Sequence, residues 1–295
     1  MVIKKGAANM SVKLSANIWI GALLTAFAVM TFLPFYYVML ASVSDSNLIR
    51  EGELMLLPKG FNLKAYGLIF DNPQFLSSFT VTVTRTVLGL GVNLLLQLTI
   101  AYALSKRYLP GRRAFMLYII ITMMFNGGIV PTFLIVKATG LIDTIWALVI
   151  PTAISTWNVI LLRTFFENVP DSLEESAKID GANDIFIFAK IYLPLSLPAI
   201  MTIGLFIAVH HWNAFMDAVI YTSSVELKVL QLFLRDMVIQ MEMAALMGDM
   251  SAMSEVSSLS IRTASIFLAS LPIIAVYPFI QRFFVKGVMV GAVKG

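Results

Sequence analysis

Few side chains in this 295-residue sequence could make or break bonds, and their spacing speaks against catalysis. The two histidines, His210 and His211, are adjacent. Neighbouring helix positions point apart and no third ligand accompanies them, so no metal site is expected. The chain has no cysteine, which removes thiol nucleophiles and thiolate ligands. H-E-x-x-H and G-x-S-x-G, the local signatures of zinc proteases and α/β-hydrolases, do not occur. Nor does the phosphate loop G-x4-G-K-S/T, so nucleotide cannot bind by that route. Asp180 and Asp184 have a spacing that could chelate a cation, but their setting explains them better. They lie in V-P-D-S-L-E-E-S-A-K-I-D-G-A-N-D-I-F-I-F-A-K-I-Y-L-P, which begins at Val169. No catalytic residue, metal or bound cofactor is expected.

Pro170 followed by Asp171 and Ser172 is a helix start, with acidic groups in the first turn where the helix dipole favours them. Leu173, Ala177 and Asp180 would share one side of this short helix. Gly181 then permits a sharp change of direction that a Cβ would resist. Asn183 and Asp184 can cap a second helix whose apolar face is Phe186, Phe188, Ile191 and Tyr192. Pro194 lacks an N–H, so that helix should bend or end there. The expected unit is a helix, a corner and a helix, small and polar at its tip.

A membrane must hold this unit in place. The chain is 59% hydrophobic and 13% charged, with a mean hydropathy of +0.85. A soluble domain carries about a quarter charged residues, so a soluble enzyme, a disordered chain and a disulfide-stapled module are all excluded. The expected fold is an all-α integral membrane protein. Six segments are apolar enough to span a bilayer: 17–42, 78–104, 114–136, 141–162, 195–221 and 263–284. The first is too long for the core of a signal peptide, so it is expected to be retained. Thirteen basic residues fall on one side of these spans, with Lys106, Arg107, Arg112 and Arg113 as the tightest cluster. Seven fall on the other side, and the excess marks the cytoplasmic face. Both termini would then be cytoplasmic, with segment 1–16 before the six-helix transmembrane domain 17–285 and a tail at 286–295. Outer loops would cover 43–77 and 222–262, and the inner loop 163–194. The second outer loop spaces Leu230, Leu232, Phe233, Leu234, Met237, Val238 and Met241 as an amphipathic helix that packs on the protein's own spans, the membrane surface or a partner. All six inner acids lie within 167–184.

Glu175-Ser176-Ala177, then Gly181, then Ile191-x-Leu193-Pro194, resembles the E-A-A-x3-G-x9-I-x-L-P loop of ABC importer permeases. Ser176 stands where that family prefers Ala, a difference of one hydroxyl. The run F-N-G-G-I-V-P-T-F from Phe125, G-L-I-D-T after it, H-H-W-N from His210, and the ending Y-P-F-I-Q-R-F-F-V-K-G-V-M-V-G-A-V-K-G are similar to the carbohydrate branch. Within it they look closest to permeases for oligosaccharides and polysaccharides, the alginate importer type included.

The resemblance implies a type I importer fold in the bacterial inner membrane. It also implies an assembly of two permeases, non-identical here, with two ATPase subunits that carry ATP and Mg, and an extracytoplasmic solute-binding protein. The inner loop would be the coupling helix: Glu174, Glu175, Ser176, Ala177, Asp180 and Gly181 facing the ATPase, with Ile191, Leu193 and Pro194 joining it to the fifth span. The tail 291–295 would also reach the ATPases. Lipid and oligosaccharide are the other expected partners; nucleic acid is not.

Sugars bind to aromatic faces and planar hydrogen-bonding groups. Asn126, Trp157, Asn158, His211, Trp212 and Asn213 are therefore candidates for the substrate path, with helix packing or an interfacial aromatic belt as the competing role. Arg85 is a charge inside a span, where it needs a partner, water or an acidic substrate. The alternatives are a permease of the same family for another solute or a carrier driven by an ion gradient. The carrier would need acidic residues in its spans, and only Asp217 comes close.

Overall fold

The computed structural model describes residues 2–45, 56–125, 127–247 and 258–292, with 2–17, 245, 280 and 282–292 described at the level of the backbone. Among them the regular structure is helical, apart from one isolated bridge between Ser44 and Phe61. Three helices are long and apolar enough to cross a membrane: Ile18–Ser42, Pro73–Ser105 and Ser258–Phe279. Three bent helix pairs bring the possible number of spans to six. The chain divides into two compact units, residues 1–71 with 237–268, and 72–236 with 269–295.

In the first unit, α1 (Val2–Ser42) ends against Leu259, with Leu40 and Ala41 buried beside Tyr36 and Tyr37. Helix α2 (Lys64–Phe70) is tied back through Tyr66, whose hydroxyl donates to Ser42 Oγ at 2.7 Å.

The second unit is built around α3 (Pro73–Ser105). Pro73 occupies its first turn and Asn72 Oδ1 accepts the Gln74 N–H at 2.9 Å, so local chemistry sets the start. Helix α3 buries a polar stripe. Ser78, Thr82, Arg85, Gly89, Asn93 and Gln97 are buried at helical spacing, while Leu76, Val87 and Leu95 face outward. This inversion suits lipid outside and polar work inside.

The polar stripe satisfies breaks in neighbouring helices. The segment expected to span as 141–162 is not one continuous helix. It runs as two 3-10 turns, Ile145–Leu148 and Ile150–Thr152, then bends by 55° into Thr156–Glu167. Pro151 removes a donor, and Ser155 caps the new helix through its side chain. The carbonyls of Thr152 and Ala153 at this break accept from Asn93 Nδ2 at 3.2 Å and Gln97 Nε2 at 2.9 Å. Irregular backbone is tolerated at such depth only where protein takes up its hydrogen bonds.

The third and fifth expected spans are also interrupted. Arg112–Met124 (α4) and Ile129–Ala138 (α5) replace the third, with Gly128 at φ 85° beginning the second half. After α6 (Thr156–Glu167) and α7 (Asp171–Ile179), a short α8 (Asp184–Ile187) passes through one π turn, Phe188–Tyr192, into α9 (Leu193–Leu195). Helix α10 (Leu197–Asn213) lies at 84° to this segment. The bend is at Ser196, between Pro194 and Pro198, two residues beyond the expected place. Helix α11 (Met216–Tyr221) completes the fifth segment after a break at Ala214. The expected amphipathic helix is α12 (Leu230–Leu246), and Leu230, Phe233 and Leu234 are buried. The Leu230 N–H donates to Thr82 Oγ1 at 2.8 Å and Phe233 meets Phe75 edge-on, so this end packs on the protein's own span. The last helix is α13 (Ser258–Ala292).

One core joins α3, α6, α10 and the segment around α8. Leu98, Ala101, Val159, Leu162, Phe166, Ile203 and Ile207 are buried with Ile187 and Tyr192.

Candidate functional site

Helix α7 starts at Asp171, as the Pro-Asp-Ser sequence requires, and carries Asp171 and Glu174 in its first turn and Lys178 in its last. Its end is a Schellman turn. The Gly181 N–H donates to Lys178 O at 3.0 Å and the Ala182 N–H to Ala177 O at 2.9 Å. Gly181 has φ +82°, the left-handed region, and a Cβ there would meet nothing within 4 Å. Its freedom is used for the turn, and the space beside it stays open. Asn183 Oδ1 then accepts the Phe186 N–H at 2.8 Å and starts α8.

The apolar face of this second helix differs from expectation. Ile187 is buried and Phe186 is exposed. The π turn at 188–192 is the reason: it lengthens the repeat, so Ile187 and Tyr192, five apart, point the same way.

Glu174 joins this corner to the rest of the unit. It is 8% exposed, and its carboxylate accepts from Lys106 at 2.5 Å, Lys178 at 2.7 Å and the Tyr192 hydroxyl at 2.7 Å. Burial by itself would raise the Glu174 carboxyl. The hydrogen bonds from Lys106, Lys178 and Tyr192 outweigh it and hold the group at about 2. Burial pushes the Lys106 ammonium down against the pull of Glu174, and the hydrogen bond to Glu174 raises Lys178. Lys106 also lies 4.2 Å from the Tyr102 ring centre and 3.9 Å from that of Tyr192. Next to it, Arg112 and Arg163 share Glu167 and both donate to the Leu104 carbonyl, closing the end of α3. A cavity of about 490 Å³, lined by Lys106, Tyr108, Glu174 and Glu175, lies along this junction.

Of the residues expected at the coupling contact, Glu174 therefore faces inward as a brace. Glu175, Ser176, Asp180, Gly181 and Pro194 are exposed, and Ala177, Ile191 and Leu193 are half-buried. The tip is not simply polar: Ile179 is 86% exposed and Ile185 78%. Sequence reasoning missed both. Two isoleucines flanking the corner in an otherwise polar stretch were the available signal.

The substrate-path candidates divide. Asn126 lies outside the described residues. Trp157 and Asn213 are exposed, and Asn158 is buried. Trp212 is buried, with its indole N–H on Ala269 O at 2.9 Å and its ring edge-on to Phe79. His211 is buried against Gly89 and lies 2.9 Å from Asn93 Nδ2. Arg85 is paired with Asp217, so the acidic group that an ion-driven carrier would use is held by a fixed cation.

At the other end of the unit, Asp143 adopts φ 59° and accepts three hydrogen bonds on one oxygen, from the N–H groups of Ser223 (2.8 Å) and Ser224 (2.9 Å) and the Ser224 hydroxyl (2.8 Å). Asp143 thereby pins the segment after α11.

Residues 94–290 match the family of binding-protein-dependent transport system inner membrane components. The chain is 46% identical over 275 residues to the polygalacturonan/rhamnogalacturonan transport system permease protein YtcP of Bacillus subtilis, covering 92% of this chain and 96% of that protein. It is 42% identical over 265 residues to Protein LplC of the same organism, covering 90% of each. A crystal structure of a bacterial ABC transporter involved in the import of the acidic polysaccharide alginate contains a chain with the same fold. There the TM-score is 0.82 at 34% identity, with 91% of this chain and 96% of that one covered. The chain belongs to the binding-protein-dependent transport system inner membrane components, as an ABC importer permease of the inner membrane.

Proposed function

We propose that this permease imports oligosaccharides of the uronate-rich class, with the corner at 171–187 as its contact with a separate ATPase. The names of the relatives support the substrate class: a permease for polygalacturonan and rhamnogalacturonan, and a transporter of an acidic polysaccharide. The chain would cross the membrane six times with both termini in the cytoplasm, which the thirteen-to-seven basic asymmetry favours. It would pair with a non-identical sister permease, two ATPase subunits that hold ATP and Mg, and a solute-binding protein on the outer side. Alternating access between two packings of the spans would move the sugar. Trp157 and Asn213, exposed on the spans, are the side chains we assign to the sugar path, with buried Asn158 following Trp157 in the chain.

The observation that carries the coupling role is the braced corner. A short helix ending in a Schellman turn, fixed by buried Glu174, presents Glu175, Asp180, Ile179 and Ile185 outward. Such a rigid tip passes on a movement that a flexible loop would absorb. Desolvated apolar side chains ringed by charge are what a specific contact requires. The test uses the complex reconstituted with its ATPases and binding protein. Ile179→Asp or Glu175→Lys should abolish sugar-stimulated ATP hydrolysis while the binding protein keeps its affinity for sugar. Wild-type stimulation in both variants would end the proposal.

A further inference from the structure

We infer that Arg85 is a positioning residue for the docking face of the binding protein: it holds the break in the fifth segment, and with it the start of the outer loop at 222–229, in register on α3. The inference rests on the importer function proposed for this chain.

Arg85 is completely buried, at 0% exposure. Its Nη1 donates to the Ala214 carbonyl at 2.9 Å and to Asp217 Oδ1 at 3.1 Å, and its Nη2 donates to Asp217 Oδ2. Ala214 is the residue at which α10 stops, so its carbonyl belongs to the freed end of that helix. Asp217 Oδ1 also accepts the Ala218 N–H at 2.9 Å in the first turn of α11. One planar guanidinium therefore closes the end of α10 and orients the carboxylate at the start of α11. A lysine ammonium has no such fork.

The same face of α3 holds the chain beyond the break. Gln74 Nε2 donates to Val225 O at 2.9 Å, and Thr82 Oγ1 accepts from the Leu230 N–H. Gln74, Ser78, Thr82 and Arg85 succeed one another at helical spacing. Gly89 continues the stripe, and a Cβ there would come within 2.3 Å of the His211 ring, so α10 is seated closely on α3 below the break. Polar side chains on one helix thus set the path of the chain from 211 to 230. A buried ion pair is an expensive way to gain stability, because apolar residues of similar size serve as well or better. What Arg85 and Asp217 supply is geometry at Ala214.

The test compares Arg85→Met, Arg85→Lys and the double variant Arg85→Met/Asp217→Met in the complete reconstituted complex. The assay titrates the binding protein loaded with a galacturonate oligosaccharide. The double variant removes both charges, so it should assemble and keep its basal ATP hydrolysis. Its half-saturating concentration of binding protein should rise about tenfold, because the docking segment loses its register. Arg85→Lys should recover only part of this. A double variant that saturates at the wild-type concentration overturns the inference. So does one that fails to assemble, or that loses basal and stimulated rates in parallel, since Arg85 would then serve folding alone. A wild-type complex that ignores the loaded binding protein would refute the substrate or importer reading instead.

Discussion

Glu174 and Asp143 each collect three hydrogen bonds on one carboxylate, yet they hold their segments by different physics. Glu174 is buried and takes two of its bonds from ammonium groups, one of them Lys106, itself buried at the end of α3. Asp143 is exposed and takes its bonds from two backbone amides and a hydroxyl in one short segment. Removing Glu174 leaves a buried cation without its partner, whereas removing Asp143 leaves amides that water can reach. The corner at 171–187 is therefore built not to give, and the segment at 222–229 is held in a way that can be released. That division fits a coupling contact on one side and a docking surface for a soluble partner on the other.

Breaking the stronger brace should have the largest effect. Glu174→Ala should destabilise the permease by about 3 kcal/mol or more, the usual cost of orphaning one member of a buried pair. Thermal unfolding of the purified complex reads this, and Lys106→Met in the same chain should return part of the loss. Gly181→Ala comes next. With open space around the position, the cost is that of a left-handed φ, about 1 kcal/mol, and the corner should loosen without clashing. Sugar-stimulated ATP hydrolysis should fall while basal hydrolysis remains. Asp143→Ala should leave thermal stability close to wild type. The half-saturating concentration of binding protein should rise about threefold, as expected for a few water-accessible hydrogen bonds.

Acid acts on the corner through Glu174. The folded Glu174 sits at about 2 against an ordinary 4.5, so its folded value is depressed. Its contribution is complete above pH 4.5 and is lost as pH falls towards 2. An unfolding series should therefore steepen below pH 4.5, and the steep part should flatten in Glu174→Gln.

What was legible in the sequence was local. Pro170-Asp171, Gly181 and Asn183 act on neighbours within a few residues, so helix start, corner and cap could be read directly. The inward direction of Glu174 could not be read, because Lys106 is 68 residues away. Arg85 was expected to need a partner, but Asp217, 132 residues on, is identified as that partner only by the fold. The break in segment 141–162 was hidden by composition, since hydropathy sees apolar residues and not the donors that Asn93 and Gln97 supply from α3. The π turn is a further case. The apolar face read from the sequence includes Phe186, and a longer local repeat puts Ile187 there instead.

That the corner meets the ATPase can be tested directly, because the chain has no cysteine of its own. Single variants Ile179→Cys, Ile185→Cys and Asp143→Cys would each be treated with a short thiol-to-amine cross-linker in the assembled complex. The first two should join the permease to the ATPase, and Asp143→Cys should not. Failure of both isoleucine positions to cross-link, or equal cross-linking from Asp143→Cys, would contradict the coupling role of the corner.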